Sequence, residues 1–221
     1  MPWNVIFPGR SRRINISNYM PKRRKNKFVL GVTGNIACGK STVAGMLKTK
    51  DCLLIDADKL ARGLFFIGSS VYARIVKYFG RKVLQKNNCI NRKKLAEIVF
   101  ADKAALFKFN RIVHPELIRQ IKRRIRNSNK RIIILDAALI VEAGLTGLVD
   151  KLVVVIAKKQ QQILRSQKSL KLAKKQVILR MKFQISQKAK SRFADFIIDN
   201  RSQISKTQKQ VSKIRRLLWK S

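Results

Sequence analysis

The chain has 221 residues, 51 Lys and Arg against 11 Asp and Glu, and a formal net charge of +40. That length suits one α/β domain carrying an insertion and is too short for two large independent domains. No run of about 18 apolar residues occurs, which argues against a membrane span. Cys38, Cys52 and Cys89 lack paired or metal-type spacing, and His114 is the single histidine. A disulfide framework, a zinc site and chemistry needing several imidazoles are therefore excluded, and a reducing, cytoplasmic setting is expected.

The positive charge is spread along the chain. Residues 1–50, 151–194 and 200–221 contain no acid. Lysine filling exposed helix positions accounts for this spread better than a dedicated nucleic-acid site does, and non-specific, salt-sensitive nucleic-acid binding is the expected by-product. Residues 1–27 hold eight Lys or Arg, no acid, and Pro2, Pro8 and Pro21, without an apolar period. They are expected to form a flexible basic extension. Two explanations fit it: an organelle-type leader, or a mis-assigned start with Met20 as the true initiator.

Phe28–Thr33 is a continuous apolar run and predicts a buried strand. Gly34-Asn35-Ile36-Ala37-Cys38-Gly39-Lys40-Ser41 follows, with glycine, four free positions, then Gly-Lys-Ser. Val43, Ala44, Met46 and Leu47 then recur as in a helix. Strand, loop and helix in that order distinguish a phosphate cradle from an ordinary glycine-containing turn. Gly34 and Gly39 let successive amides converge on phosphate oxygens, Lys40 reaches the β- and γ-phosphates, and the Ser41 hydroxyl is a candidate Mg²⁺ ligand beside Thr42. Cys38 reads as a small loop filler, because the backbone does the binding.

Cys52–Ile55 predicts a second strand, ending in Asp56-Ala57-Asp58. Ligands of open parallel sheets gather at such carboxyl edges. Helical spacing over Val71, Ile75 and Phe79, then Leu95, Ile98 and Val99, then Leu106 to Ile125 interrupts the strand-helix alternation. Residues 59–128 are therefore expected to be an inserted helical, substrate-binding subdomain. Alternation resumes with Arg131–Asp136, Lys151–Ala157 and Phe193–Asn200, all continuous β-branched runs. The expected fold is a five-stranded parallel sheet covered by helices on both faces, with 28–58 and 129–221 as its core. Eleven Lys or Arg between Lys158 and Lys190, among them Arg165, Lys168 and Arg180, lie in a helical pattern that reads as a cationic lid at about 158–190.

The strand ends bring Asp56, Asp58, Asp136 and Lys40 to one edge. Phosphoryl transfer needs a carboxylate to take the attacking hydroxyl's proton, and Asp58, beyond its strand and facing the insertion, is the candidate base. Asp56 is read as support for the loop or for a metal-bound water, and a helix N-cap is the alternative for either aspartate.

In the order given, Gly31–Gly34 through Ser41-Thr42, Ile55–Asp58, Phe79-Gly80, Ile90–Arg92, Val99-Phe100, His114-Pro115, Asp136–Glu142, Gln162–Arg165, Gln184, Ala194-Asp195 and Ile198–Asn200 resemble the dephospho-CoA kinase family. The resemblance spans about Phe28 to Val211. It implies a P-loop kinase fold with ATP, Mg²⁺, a helical CoA-binding domain and a lid, and transfer of the ATP γ-phosphate to the ribose 3′-hydroxyl of dephospho-CoA. By position it implies Asp58 as general base, Lys40 and residues 34–42 around the phosphates, Arg165 in the lid, Asn200 near the adenine, and Arg92 and His114 toward dephospho-CoA. The chain departs from the family pattern at Asn35 and Ala37, where glycines are frequent, at Ala138, where proline is usual, and at Lys168, where arginine is usual. A lysine lacks arginine's bidentate fork. The alternatives are another small-molecule P-loop kinase, a nucleoside-monophosphate kinase included, or a nucleic-acid-binding P-loop ATPase.

Overall fold

The apolar run at Phe28 becomes strand β1 (Phe28–Gly34), buried along its whole length except at Phe28. A strand buried on both faces has to lie inside a sheet, and β1 is the middle of five in the computed structural model, which describes residues 27–219. β2 (Cys52–Asp56), β3 (Ile132–Asp136), β4 (Lys151–Ile156) and β5 (Phe196–Asp199) complete it in the order β2-β3-β1-β4-β5. Every pairing is parallel. The chain leaves β1 toward one edge and returns to the other side of it at β4, so the order reverses beside β1. Open α/β sheets bind ligands at that point. The expected extension over residues 1–27 falls almost entirely outside the described residues.

β5 is shorter than the apolar run at 193–200 suggested. The amides of Phe193 and Ala194 still donate to Lys190 and Ser191 carbonyls, so the preceding helix is unwinding there and Phe193 stays exposed. Only after Asp195, whose amide donates to the Leu152 carbonyl, does the chain join the sheet.

The described residues divide into two compact units, Ala57–Asn127 and the residues before and after it. The sheet unit holds α1 (Lys40–Leu47), then α6 (Lys159–Leu170), α7 (Lys174–Lys182) and α8 (Gln187–Ser191) between β4 and β5, and α9 (Ile204–Leu218). α1 and α9 pack Val43, Ala44, Leu47, Val211 and Ile214 against Leu30, Val32, Val153 and Val155. Continuous burial of these side chains is the main favourable term, at roughly 1.5–3 kcal/mol each.

The helical unit contains α2 (Ala57–Gly63), α3 (Ser70–Phe79), α4 (Arg92–Ala101) and α5 (Lys103–Asn127). Local chemistry sets two of the starts. The Ser69 hydroxyl accepts from Tyr72 N at 3.0 Å and Asn91 Oδ1 accepts from Lys94 N at 3.1 Å, each capping the helix that follows. Phe109 on α5 sits 6.3 Å from the rings of both Phe65 and Phe79, anchoring this unit's own core. α5 runs unbroken through Pro115, an exposed position where the missing amide costs one bond. Among the described residues no helix is long and apolar enough to cross a membrane.

Candidate active site

The loop between β1 and α1 takes the backbone conformations its sequence allows. Gly39, at φ 98°, precedes α1 in the left-handed region, where a side chain at this position would run into Asn200 Nδ2. A Cβ on Gly34 would meet the Val155 carbonyl oxygen at 2.5 Å. Ala37 also lies in the left-handed region, at φ 51°, where a non-glycine residue is strained by about 1–2 kcal/mol. The loop curls so that the first turn of α1, with Ser41 and Thr42 exposed, presents its unsatisfied amides and the positive end of its dipole outward. An anion fits that arrangement.

The buried side of the loop is held by bonds to distant segments. The Cys38 carbonyl accepts from Asn200 Nδ2 at 2.8 Å, and Arg165 Nη1 lies 3.5 Å from the same oxygen. Asn200 Oδ1 in turn accepts from the Thr207 hydroxyl at 2.9 Å. Asn200 is thus 5% exposed, with both ends of its amide committed, and it holds the loop backbone. Ile36 N donates to Gln184 Oε1 at 2.9 Å, and Asn35 Nδ2 donates to the Ile185 carbonyl at 3.1 Å. Cys38 is fully buried; desolvation pushes its thiol up from its ordinary value, against the opposing charge of Lys40. That is the chemistry of a filler and not of a nucleophile.

Lys40 Nζ stands 3.8 Å from Asp136 Oδ1 at the carboxyl end of β3, where Asp136 is the register partner of Asp56. Two carboxylates and one ammonium therefore meet at the strand edge beside the loop. Asp58 lies in the first turn of α2, two residues past the end of β2. Arg92 opens α4 and its Nη2 donates to the Arg62 carbonyl at 3.1 Å. His114 lies on α5, where burial lowers its pKa from 6.5 to about 4 and its Nε2 has no hydrogen-bond partner among the described residues. The imidazole is neutral at pH 7.

Two features were not readable from residue type. Lys190, one of the basic residues counted into the expected lid, is 0% exposed: its Nζ donates to the Ala138 carbonyl at 2.8 Å and lies 2.8 Å from Glu142 Oε1, also 0% exposed. Burial raises the Glu142 pKa and the Lys190 charge opposes that rise. Arg180 is likewise 8% exposed. A lysine in a basic, helical stretch carries no sequence signal of burial. Ala138 takes part through its carbonyl, which also accepts from the Thr33 hydroxyl at 3.1 Å; a proline there would offer the same oxygen.

Comparison with known proteins agrees with this geometry. The model of the family described as dephospho-CoA kinase matches residues 28–206. A dephospho-CoA kinase of Aquifex aeolicus is 40% identical over 190 residues, 84% of this chain and 94% of that protein. One from Listeria monocytogenes is 37% identical over 185 residues, covering 82% and 92%. Among solved structures, TT1252 from Thermus thermophilus shares the fold, with a TM-score of 0.76 at 23% identity over 89% of this chain and all of that one. Dephospho-CoA kinase from Campylobacter jejuni gives 0.56 at 27% identity over 86% and 97%. With a parallel sheet of the expected kind, a phosphate loop at its switch point and relatives matched along most of their length, this chain belongs to the dephospho-CoA kinase family.

Proposed function

We propose that the chain transfers the γ-phosphoryl group of ATP to the ribose 3′-hydroxyl of dephospho-CoA, giving ADP and coenzyme A. The observation that carries the reading is the curled loop 34–41 with the Lys40–Asp136 pair at its mouth, in a chain of this family. The loop amides and Lys40 hold the β- and γ-phosphates. Asp58 accepts the proton as the 3′-oxygen attacks phosphorus, and the bond from phosphorus to the β–γ bridging oxygen breaks, its electron pair leaving with ADP. Arg165 and Asn200 fix the loop from its buried side and border the nucleotide. Arg92 and His114 serve dephospho-CoA, His114 as a neutral hydrogen-bonding group.

The exposed Ser41 hydroxyl and the Asp136 and Asp56 carboxylates suit Mg²⁺, which takes one or two protein oxygens and completes its shell with phosphate and water. When bound, the ion would offset negative charge on the phosphates. The helical insertion expected at 59–128 is assigned to dephospho-CoA binding, and residues at about 158–190 to the lid. Three free cysteines, Cys38, Cys52 and Cys89, support a reducing, cytoplasmic location. The net charge of +40 supports weak polyanion binding, which a salt titration with RNA would report as a steep loss of affinity.

The test is direct. Purified protein with ATP, Mg²⁺ and dephospho-CoA should release ADP in step with coenzyme A identified by mass. A nucleoside monophosphate preferred as acceptor, or no coenzyme A formed, overturns the assignment.

A further inference from the structure

The phosphate loop is tied to the far end of the basic hairpin that α6 and α7 form, where it runs into α8, by two amide side chains acting in opposite directions. Asn35 reaches from the loop to the Ile185 carbonyl, and Gln184 reaches from the hairpin to the Ile36 amide. Both residues are buried, 6% and 5% exposed. Each uses one arm of its amide and leaves the other buried without a partner among the described residues: an acceptor, Asn35 Oδ1, and a donor, Gln184 Nε2. A contact kept only for stability would not retain two unsatisfied polar atoms, because each costs more than an apolar replacement would.

The hairpin end that Gln184 belongs to is itself immobilised. Lys190 is bound to Ala138 and Glu142, and Gln187 exchanges two bonds with Ala157, accepting from its amide at 2.7 Å and donating to its carbonyl at 2.9 Å. Ala138 is bonded in turn to Thr33, which stands just ahead of the loop. Residues 184–190 are therefore pinned to the ends of β3 and β4, whereas Leu164, Leu170 and Leu179 of the same hairpin are exposed. The loop hangs from this fixed end. Its Ile36 amide, spent on Gln184, is unavailable to an anion, while the amides of the α1 first turn remain directed outward.

We propose that Asn35 and Gln184 form one positioning unit that sets the phosphate-loop conformation for nucleotide, with Asn35 adding a bond that a glycine at this position cannot make. The inference rests on the loop being a nucleotide site and not on the identity of the acceptor. Asn35→Ala, Gln184→Ala and the double variant should each weaken ADP binding by calorimetry about fivefold to tenfold. KM for ATP should rise by a matching factor, with kcat within about twofold. Because either removal opens the same clamp, the double variant should be no more than about twofold worse than the weaker single.

Melting temperature is recorded for all three, with Asn35→Gly as the variant least able to perturb folding. Multiplicative losses in the double variant, or lowered melting temperature with unchanged ADP affinity in Asn35→Gly and Gln184→Ala, overturn the proposal. Should dephospho-CoA not be phosphorylated while the ADP losses appear as described, the acceptor assignment fails and the positioning unit stands.

Discussion

The half-buried His114, whose Nε2 is sealed from solvent, makes a quantitative prediction about acid stability. Its pKa falls from 6.5 to about 4 because burial disfavours the charged form, so the folded chain keeps it neutral where the unfolded chain binds a proton. Between those values the unfolded state holds more protons, and stability must fall as pH falls. With 1.36 kcal/mol per unit, the full difference is about 3.4 kcal/mol, of which about 2 kcal/mol is lost between pH 7 and pH 5. At a urea slope of about 2 kcal/mol per molar, the midpoint should drop by about 1 M over that interval. His114→Gln should show a much flatter dependence. The raised carboxyl of Glu142 works with the opposite sign and is common to both proteins. Since the sequence contains one histidine, its NMR titration can be read without assignment. Parallel stability curves for the two proteins, or an imidazole titrating near 6.5 in the folded state, would refute the reasoning.

Three further outcomes follow from particular side chains. Lys190→Met strands Glu142 as a buried charge and should cost about 3–5 kcal/mol at pH 7, lowering the melting temperature by roughly 6–20 °C. Part of that loss should return at pH 5 as the Glu142 carboxyl neutralises, and calorimetry at both pH values checks the pair; a loss below about 1 kcal/mol contradicts it. Ala37→Gly removes left-handed strain and gives back some chain entropy, for a net gain of about 0.5 kcal/mol by urea titration, and a clear loss would show that the Ala37 methyl is needed. Asp58→Asn should lower kcat by about 100-fold or more with KM for ATP changed little, and near-normal turnover would remove Asp58 from the proton-transfer role.

The sheet was legible because burial on both faces demands unbroken β-branched runs, and the runs at 28–33, 52–55, 131–136 and 151–157 mark four strands to within a residue or two. Their spatial order was not, since a parallel strand's neighbours depend on crossovers that leave no local pattern. The phosphate loop was legible through its glycines. What holds it was not: nothing in residue type signals that the Asn200 amide bonds both Cys38 and Thr207. Asn35 counted only as a departure from the family pattern, and its side chain makes a bond. Side chain–backbone bonds between segments about 150 residues apart are set by packing. No composition rule announces them.

Five of the eleven acids are committed to particular atoms. Asp150 accepts from the Val29 amide at 2.6 Å, Asp195 holds Leu152 N and Lys151, Asp102 caps α5 through Ala105 N, Asp199 is tied to Arg201, and Glu142 is sealed against Lys190. Substitution should therefore be tolerated very unequally by sign. An exposed lysine can drift to glutamine, serine or asparagine at little penalty, and each such exchange relieves self-repulsion. Those five acids have no such freedom, because replacing one orphans a named donor. Lineages evolving from this sequence can shed positive charge readily, but at these five positions they have little room to lose negative charge.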